Sequence, residues 1–343
     1  MLSRIKYLTA GESHGKGLLG IIEGIPANLE ISESYIASQL FRRQQGYGRG
    51  GRMKIEKDFA EIYCGIRYGK TLGGPIGLIL ENKDSKNWTK KMSINPNDEQ
   101  RNSINIPRPG HADLAGIQKF GHDDVRNVLE RSSARETAMR VALASICRKL
   151  LYEVGIKVAS RVIQIHSIKD KNDIPNEMTL DKLNDIADRS PVRSTNKNIE
   201  KKMIEAIDRA KHSGDSVGGV FEVIAEGLPY GLGSHTQWEK KMQARIAESI
   251  LSINALKGIE IGMGFDVAGE LGSDVHDEIG YESGKYIRYS NNAGGIEGGM
   301  TNAQKIRIRA VMKPIPTLIK PLNSVDIKTK QDRLAHKERT DSC

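Results

Sequence analysis

One helix constrains this chain more than any other feature. Residues 135–154 place Ala138, Val141, Ala142, Ser145 and Ile146 at helical spacing, so an apolar stripe there must be covered by another element. Ser133 and Glu136 precede it in the Ser-x-x-Glu spacing of a capping box, and Gly155 stops it. Around it the period changes. Ile5–Ala10, Leu18–Ile25 and Ile76–Glu81 read as strands, and Glu33–Arg43 reads as a second helix. After Gly214-Asp215-Ser216, the pattern predicts a strand over Gly219–Ala225, a helix over Trp238–Leu256 and a strand over Ile259–Val267. Ile306–Val311 alternates apolar residues with arginine, the mark of a half-buried strand. Residues from about 165 to 213 read as a polar, irregular insertion holding one amphipathic helix, Ile199–Lys211. No repeat of fixed period is visible, and the chain reads as mixed α/β.

Two loops stand out chemically: Gly11-Glu12-Ser13-His14-Gly15 and Arg108-Pro109-Gly110-His111-Ala112-Asp113. Glycine lets a backbone approach a ligand closely, and proline stiffens the approach. Histidine exchanges a proton near neutral pH. The pair reads as two acid/base positions facing a common pocket; the plain alternative is two ordinary turn histidines. The start of the long helix, Arg131-Ser132-Ser133-Ala134-Arg135, sets two serines and two arginines beside unsatisfied backbone N–H groups and a positive dipole end. That is an anion site, against the blander reading of a solvated helix cap.

Two other motifs are decoys. Gly15-Lys16-Gly17-Leu18-Leu19-Gly20 fits the dinucleotide fingerprint, but a strand-like run follows where a helix is required. Gly65-Ile66-Arg67-Tyr68-Gly69-Lys70-Thr71 resembles a phosphate loop one residue short, followed by Gly-Gly-Pro. Both are expected to be turns between strands. His122, His166, His212, His276 and His336 lack metal-ligand spacing, so no zinc site is expected.

Composition narrows the class. The charge is +9, from 52 Lys+Arg against 43 Asp+Glu, which suits an anionic partner. Aromatics are 5% and no nucleic-acid-binding pattern occurs. Lysines crowd 169–211, whereas Arg42, Arg43, Arg49, Arg52, Arg108, Arg131 and Arg135 fall in or beside Gly-rich motifs. A small polyanion explains that better than nucleic acid. No apolar run is long enough to span a bilayer and no signal peptide is expected. Cys64, Cys147 and Cys343 are odd in number and form no C-x-x-C, which points to a reducing, cytoplasmic setting without disulfides.

The chain resembles the chorismate synthases. Residues 11–15, 108–113 and 131–138 match that family's three signatures nearly letter for letter. The likeness continues through Arg42–Arg52 (RRQQGYGRGGR), Gly214–Gly219 (GDSVGG), Gly231–His235 (GLGSH), Asn254–Gly264 (NALKGIEIGMG), Asn291–Gly299 (NNAGGIEGG) and Lys313-Pro314. The resemblance implies an α+β fold: one compact β-α-β sandwich with helices between two antiparallel sheets. It replaces the two domains that length alone suggests with a single domain over 1–343. It also implies a lyase that converts 5-enolpyruvylshikimate 3-phosphate to chorismate and phosphate by 1,4-anti elimination, the last step of the shikimate pathway. Reduced FMN is required with no net redox change.

The same resemblance implies roles for residues. Arg43, Arg49, Arg52, Arg108, Arg135 and Arg339 are expected to hold the carboxylates and phosphate of the substrate, as rigid bidentate guanidinium groups do well. His14 is expected to serve the departing phosphate, and His111 the anionic reduced flavin. Asp341 is expected to help the flavin take the ring proton. Arg131, Ser132, Ser133, Asn254, Ala255, Gly298, Arg339 and the stiff loop Lys313, Pro314, Ile315, Pro316, Thr317 match FMN-contacting segments; for that loop the alternative is a Pro-rich exit from the preceding strand. A homotetramer is implied. No second domain for reducing flavin with NADPH is evident, so a separate flavin reductase is expected, with NADPH as direct reductant the open alternative. No nucleic acid or membrane partner and no metal are expected. The family's C-terminal tail is expected to be absent after Cys343, and Gln44, Gln45 and Ala303 depart from the usual family residues.

Overall fold

The computed structural model describes residues 4–49, 57–96, 103–175 and 177–336. Of these, 4–150, 207–217 and 314–336 form one compact unit, and 151–206 with 218–313 form another.

The first unit is built on a four-stranded antiparallel sheet of β1 (Lys6–Gly11), β2 (Gly17–Glu23), β3 (Ala60–Cys64) and β4 (Ile76–Glu81), in the order β1-β2-β4-β3. Alternate residues point to opposite faces. Leu18 and Ile22 of β2 and Leu78 and Leu80 of β4 are therefore buried, whereas Leu19 and Ile21 face outward. Two helices cover the inner face: α1 (Glu33–Gln44) with Ile36 and Leu40, and the long helix with Ala138, Met139, Ala142, Leu143 and Ile146. Each of the larger side chains gains about 1.5–3 kcal/mol on burial, several times any difference in helix propensity. Packing therefore decides that these helices form. The close approach requires a small residue: a Cβ on Gly20 would lie 2.5 Å from Met139 Sδ.

Between these elements run α2 (Asp113–Phe120) and α3 (Arg126–Ser132). They meet where a Cβ on Gly116 would lie 2.4 Å from Val128 Cγ1. The long helix begins as a 3-10 turn, Ala134–Glu136, and continues as α4 (Thr137–Glu153), stopping before Gly155 as the sequence predicts. Ser133 Oγ accepts the Arg135 N–H at 3.3 Å. The Glu136 carboxylate turns instead to Arg140 and Thr9, at 2.7 and 3.3 Å.

The second unit carries β5 (Lys157–Ile165), β6 (Gly219–Glu226), β7 (Leu256–Ile261) and β8 (Ile306–Met312), in the antiparallel order β7-β8-β6-β5 with a short strand, Ile168–Lys169, at the end. Three expectations change here. The insertion holds α5 (Leu180–Arg189) as well as α6 (Lys197–His212). In α5, Thr179 caps the N-terminus and only Leu180, Leu183 and Ala187 supply the buried stripe, so the apolar signal is short. Leu180 and Leu183 pack on Ala159 and Ile224 of the sheet. The helix expected over Trp238–Leu256 is α7 (Met242–Leu251), because Lys241 is extended and Leu256 already pairs in β7. The strand expected over Ile259–Val267 ends at Ile261, where Gly262 adopts φ +59° and the chain turns.

The fold is α+β, and all its strand pairings among the described residues are antiparallel. The second decoy motif is a turn between strands, Ile66–Arg67 pairing with Lys70–Thr71; the first is a turn only at Gly15 and Lys16, because Gly17–Gly20 already lies within β2. No helix among the described residues is long and apolar enough to cross a membrane.

Candidate active site

His14 sits in the loop joining β1 to β2. Gly11 closes that hairpin with φ +105°, and a Cβ there would lie 2.3 Å from Gly17 O, so no other residue fits without strain. Asn82, fully buried at the end of β4, braces the loop by donating to the carbonyls of Glu12 and Gly15 at 3.0 and 2.9 Å. His14 Nδ1 lies 2.9 Å from Glu130 Oε2 and 3.0 Å from Oε1, and the His14 backbone N–H donates to Oε2 at 2.9 Å. The ring stacks on Trp88, centroids 3.9 Å apart. Burial raises the Glu130 carboxyl, but its hydrogen bonds to His14, the charge of that ring and Arg126 together hold it below the usual carboxylate range. An ionised carboxylate against Nδ1 assigns the proton to that nitrogen and makes Nε2 the site of proton exchange.

His111 repeats the arrangement within six residues. Its Nδ1 is 2.5 Å from Asp113 Oδ1 at the start of α2. Arg108 approaches the same carboxylate through Nε at 2.9 Å and its backbone N–H at 3.0 Å, and Arg108 Nη2 lies 3.1 Å from His111 Nδ1. Asp113 is wholly buried. Burial would raise its carboxyl, but the hydrogen bonds from His111 and Arg108 and the guanidinium charge hold it well below the usual range.

The arginines gather around a second acid. Asp58 receives Arg135 Nη1 at 2.5 Å and Arg43 Nη1 at 3.3 Å. Arg135 Nε also donates to Asn82 Oδ1 at 2.9 Å, which ties this cluster to the His14 loop. Burial pulls the Arg43 guanidinium down to about 10; Asp58 opposes that, while the charges of Arg49 and Arg135 add to it. Two guanidinium groups, Arg43 and Arg135, thus converge on one buried carboxylate, and with the charge of Arg49 beside them they leave a surplus of positive charge suited to a small polyanion.

The other expected residues lie as follows. Arg131 donates to Thr9 O and Gly11 O at 2.8 and 3.3 Å and braces β1. Ser133 Oγ donates to Ser13 Oγ at 3.2 Å, and Ser132 Oγ turns back to Val128 O at 2.8 Å. In the first unit, Ser216 Oγ of the Gly214–Gly219 motif holds Ile315 O at 2.7 Å, and Thr317 is buried. In the second unit, the Lys313 N–H donates to Ala255 O at 3.0 Å, beside Asn254, and Gly298 turns a hairpin with φ +57°. Burial and neighbouring Lys257 lower the Lys313 amine. Two cations whose charges act on each other suit a phosphate dianion. Arg52, Arg339 and Asp341 lie outside the described residues.

Sequence reasoning gave no role to Glu130, Asp113, Asp58, Asn82 or Trp88. Asp113 closes the Arg108–Asp113 loop itself and Glu130 directly precedes Arg131, so an acidic residue in or beside the motif was the available signal. Asp58, Asn82 and Trp88 reach the site only through the tertiary fold.

Residues 5–343 match the family model described as chorismate synthase. The chain belongs to the chorismate synthase family. Curated relatives named chorismate synthase include one from Enterococcus faecalis (strain ATCC 700802 / V583), 54% identical over 98% of this chain and 88% of the relative. Another, from Geobacillus sp. (strain WCH70), is 52% identical over 99% and 88%. A solved structure titled as a crystal structure of chorismate synthase superposes with a TM-score of 0.78 at 45% identity, covering 92% of this chain and 86% of that one. Membership makes this chain an enzyme, and the chemistry above must be read as that of a chorismate synthase family site.

Proposed function

We propose that this chain converts 5-enolpyruvylshikimate 3-phosphate to chorismate and inorganic phosphate by 1,4-anti elimination, the last step of the shikimate pathway. The observation that carries this reading is that two histidines, each backed on Nδ1 by a buried carboxylate, share a unit with the guanidinium groups of Arg43 and Arg135 converging on Asp58 and the charge of Arg49 acting on Arg43. The substrate is a dicarboxylate and a phosphate ester. Arg43, Arg49 and Arg135 bind its anionic groups, and fixed positive charge lowers the cost of phosphate departure. His14 delivers a proton from Nε2 to the leaving phosphate. His111 holds a proton at Nε2 on the flavin side of the reaction, while Asp113 keeps its ring in one orientation.

The residues present suit FMN. Lys313 with Lys257 matches the charge of its phosphate. Bound reduced FMN would lend electron density to the substrate and recover it, so the reaction leaves the flavin unspent. A separate reductase supplies the reduced flavin in the cytoplasm.

We also propose a homotetramer. The outer face of the first sheet carries Leu8, Leu19 and Ile21 more than half exposed, with Leu8 and Ile21 directly paired across strands. Such a contiguous apolar face favours association.

The test mixes the protein anaerobically with chemically reduced FMN and the enolpyruvyl substrate. Phosphate release without loss of reduced flavin is expected. Flavin consumed in step with product would favour a net redox enzyme instead. Tight oligonucleotide binding that weakens steeply with salt would favour a nucleic-acid-binding protein.

A further inference from the structure

We propose that Glu130 is a positioning residue for His14: with Trp88 it fixes the plane and tautomer of the imidazole so that Nε2 alone exchanges the proton. The inference rests on the reaction proposed above and goes beyond it, because neither residue belongs to the motifs that brought His14 to attention.

The geometry is specific. Glu130 is 3% exposed, although a glutamate on a helix surface costs least in water. Both its oxygens face the His14 ring, lying 3.0 and 2.9 Å from Nδ1, and Oε2 also takes the His14 backbone N–H at 2.9 Å. The Glu130 carbonyl accepts the Ser13 N–H at 3.0 Å. One residue of α3 therefore holds both the backbone of the loop and the edge of the ring, from 116 positions away. Trp88 closes a face of the ring at 3.9 Å, and its own far contacts are cationic: Lys91 Nζ and Arg126 Cζ lie 4.9 and 5.4 Å from the indole centroid.

A simple ion pair explains less. Arg126 Nη1, one helical turn away, lies 3.2 Å from Glu130 Oε1. Such an i,i+4 pair forms on a solvated surface without burial. Burial is required to present the carboxylate to the ring inside the loop. A proton donor whose ring can rotate, or swap tautomers, spends part of its time unable to donate from Nε2. A carboxylate that accepts only, aided by an indole wall, removes both options.

Nitrogen-15 NMR of the histidine ring in the flavin-free protein reads this directly. The unaltered protein is expected to show His14 protonated at Nδ1 in its neutral form. Glu130→Gln, whose amide can donate or accept, is expected to show a tautomer mixture. In the phosphate-release assay it should lower kcat about tenfold or more with KM within about twofold, as a group acting on the chemical step does. Glu130→Asp should restore the single tautomer and part of kcat. A ring protonated at Nε2 in the unaltered protein, or a Glu130→Gln variant with unchanged tautomer or unchanged kcat, would overturn the inference. The unaltered spectrum needs no variant, so the question stays decidable if the substitution impairs folding. Failure of the unaltered protein to release phosphate would instead count against the reaction, and the ring spectrum would still decide the role of Glu130.

Discussion

His111 Nδ1 and Asp113 Oδ1 are 2.5 Å apart, and Arg108 closes the same carboxylate from the other side at 2.9 Å. Asp113→Asn should therefore do two things. It should leave a buried guanidinium without its counter-charge, at a cost of about 3 kcal/mol in urea unfolding. It should also release the His111 ring and lower kcat by at least about tenfold. Unchanged stability would show that the acid is dispensable to the loop.

Acid should weaken the fold through the same groups. Asp113 and Glu130 both ionise at lower pH in the folded chain than in the unfolded one. The unfolded chain then binds more protons in acid. The stability these groups contribute is fully present above the ordinary carboxylate value of about 4 and is lost as pH falls below it toward their folded values. Urea midpoints should be level from about pH 7 to 5 and decline beneath about 4, less steeply for Asp113→Asn. A decline no shallower in that variant would contradict the assignment.

The histidines themselves should be indispensable. His14→Ala and His111→Ala should each lose at least about a hundredfold in phosphate release, the usual scale for a positioned proton donor. A loss of less than about fivefold for either would remove it from the reaction.

Arg43→Lys keeps the charge and removes the fork. Arg43 touches Asp58, Ala134 O and Thr137 Oγ1 at once, which one ammonium cannot reproduce. KM for the substrate should rise about tenfold, and inhibition by inorganic phosphate should weaken in parallel. A KM equal to that of the unaltered protein would place the anion elsewhere.

The apolar sheet face offers a separate check. Leu19→Glu with Ile21→Glu adds charge where both side chains are 51% exposed, so the monomer's own core is spared. Sedimentation should then show a smaller species than the unaltered protein. Identical sedimentation would mean that this face is not used in assembly.

The elements best read from sequence are those whose burial pattern is long and regular. Ile76–Glu81 is a strand with the expected limits, and the stripe of Ala138, Ala142 and Ile146 marks α4. Short elements fail for lack of signal: α5 has three apolar anchors in ten residues. Strand limits near Gly262 fail because a left-handed turn outweighs an apolar run. At the site, the histidines and arginines are visible because loops rich in glycine flank them. Two of their carboxylate partners are not, since Asp58 meets Arg135 across 77 residues of chain and Glu130 meets His14 across 116.

The two imidazoles differ in how they came to be held. His111, Arg108 and Asp113 are neighbours in one turn of loop, so a single inserted residue there would break the contact. His14 and Glu130 are brought together by separate elements, and the surface loops that join the core elements between them can lengthen or shorten without moving either. Natural variation in length should therefore be absent from residues 108–113 and confined, elsewhere between the two partners, to those joining loops.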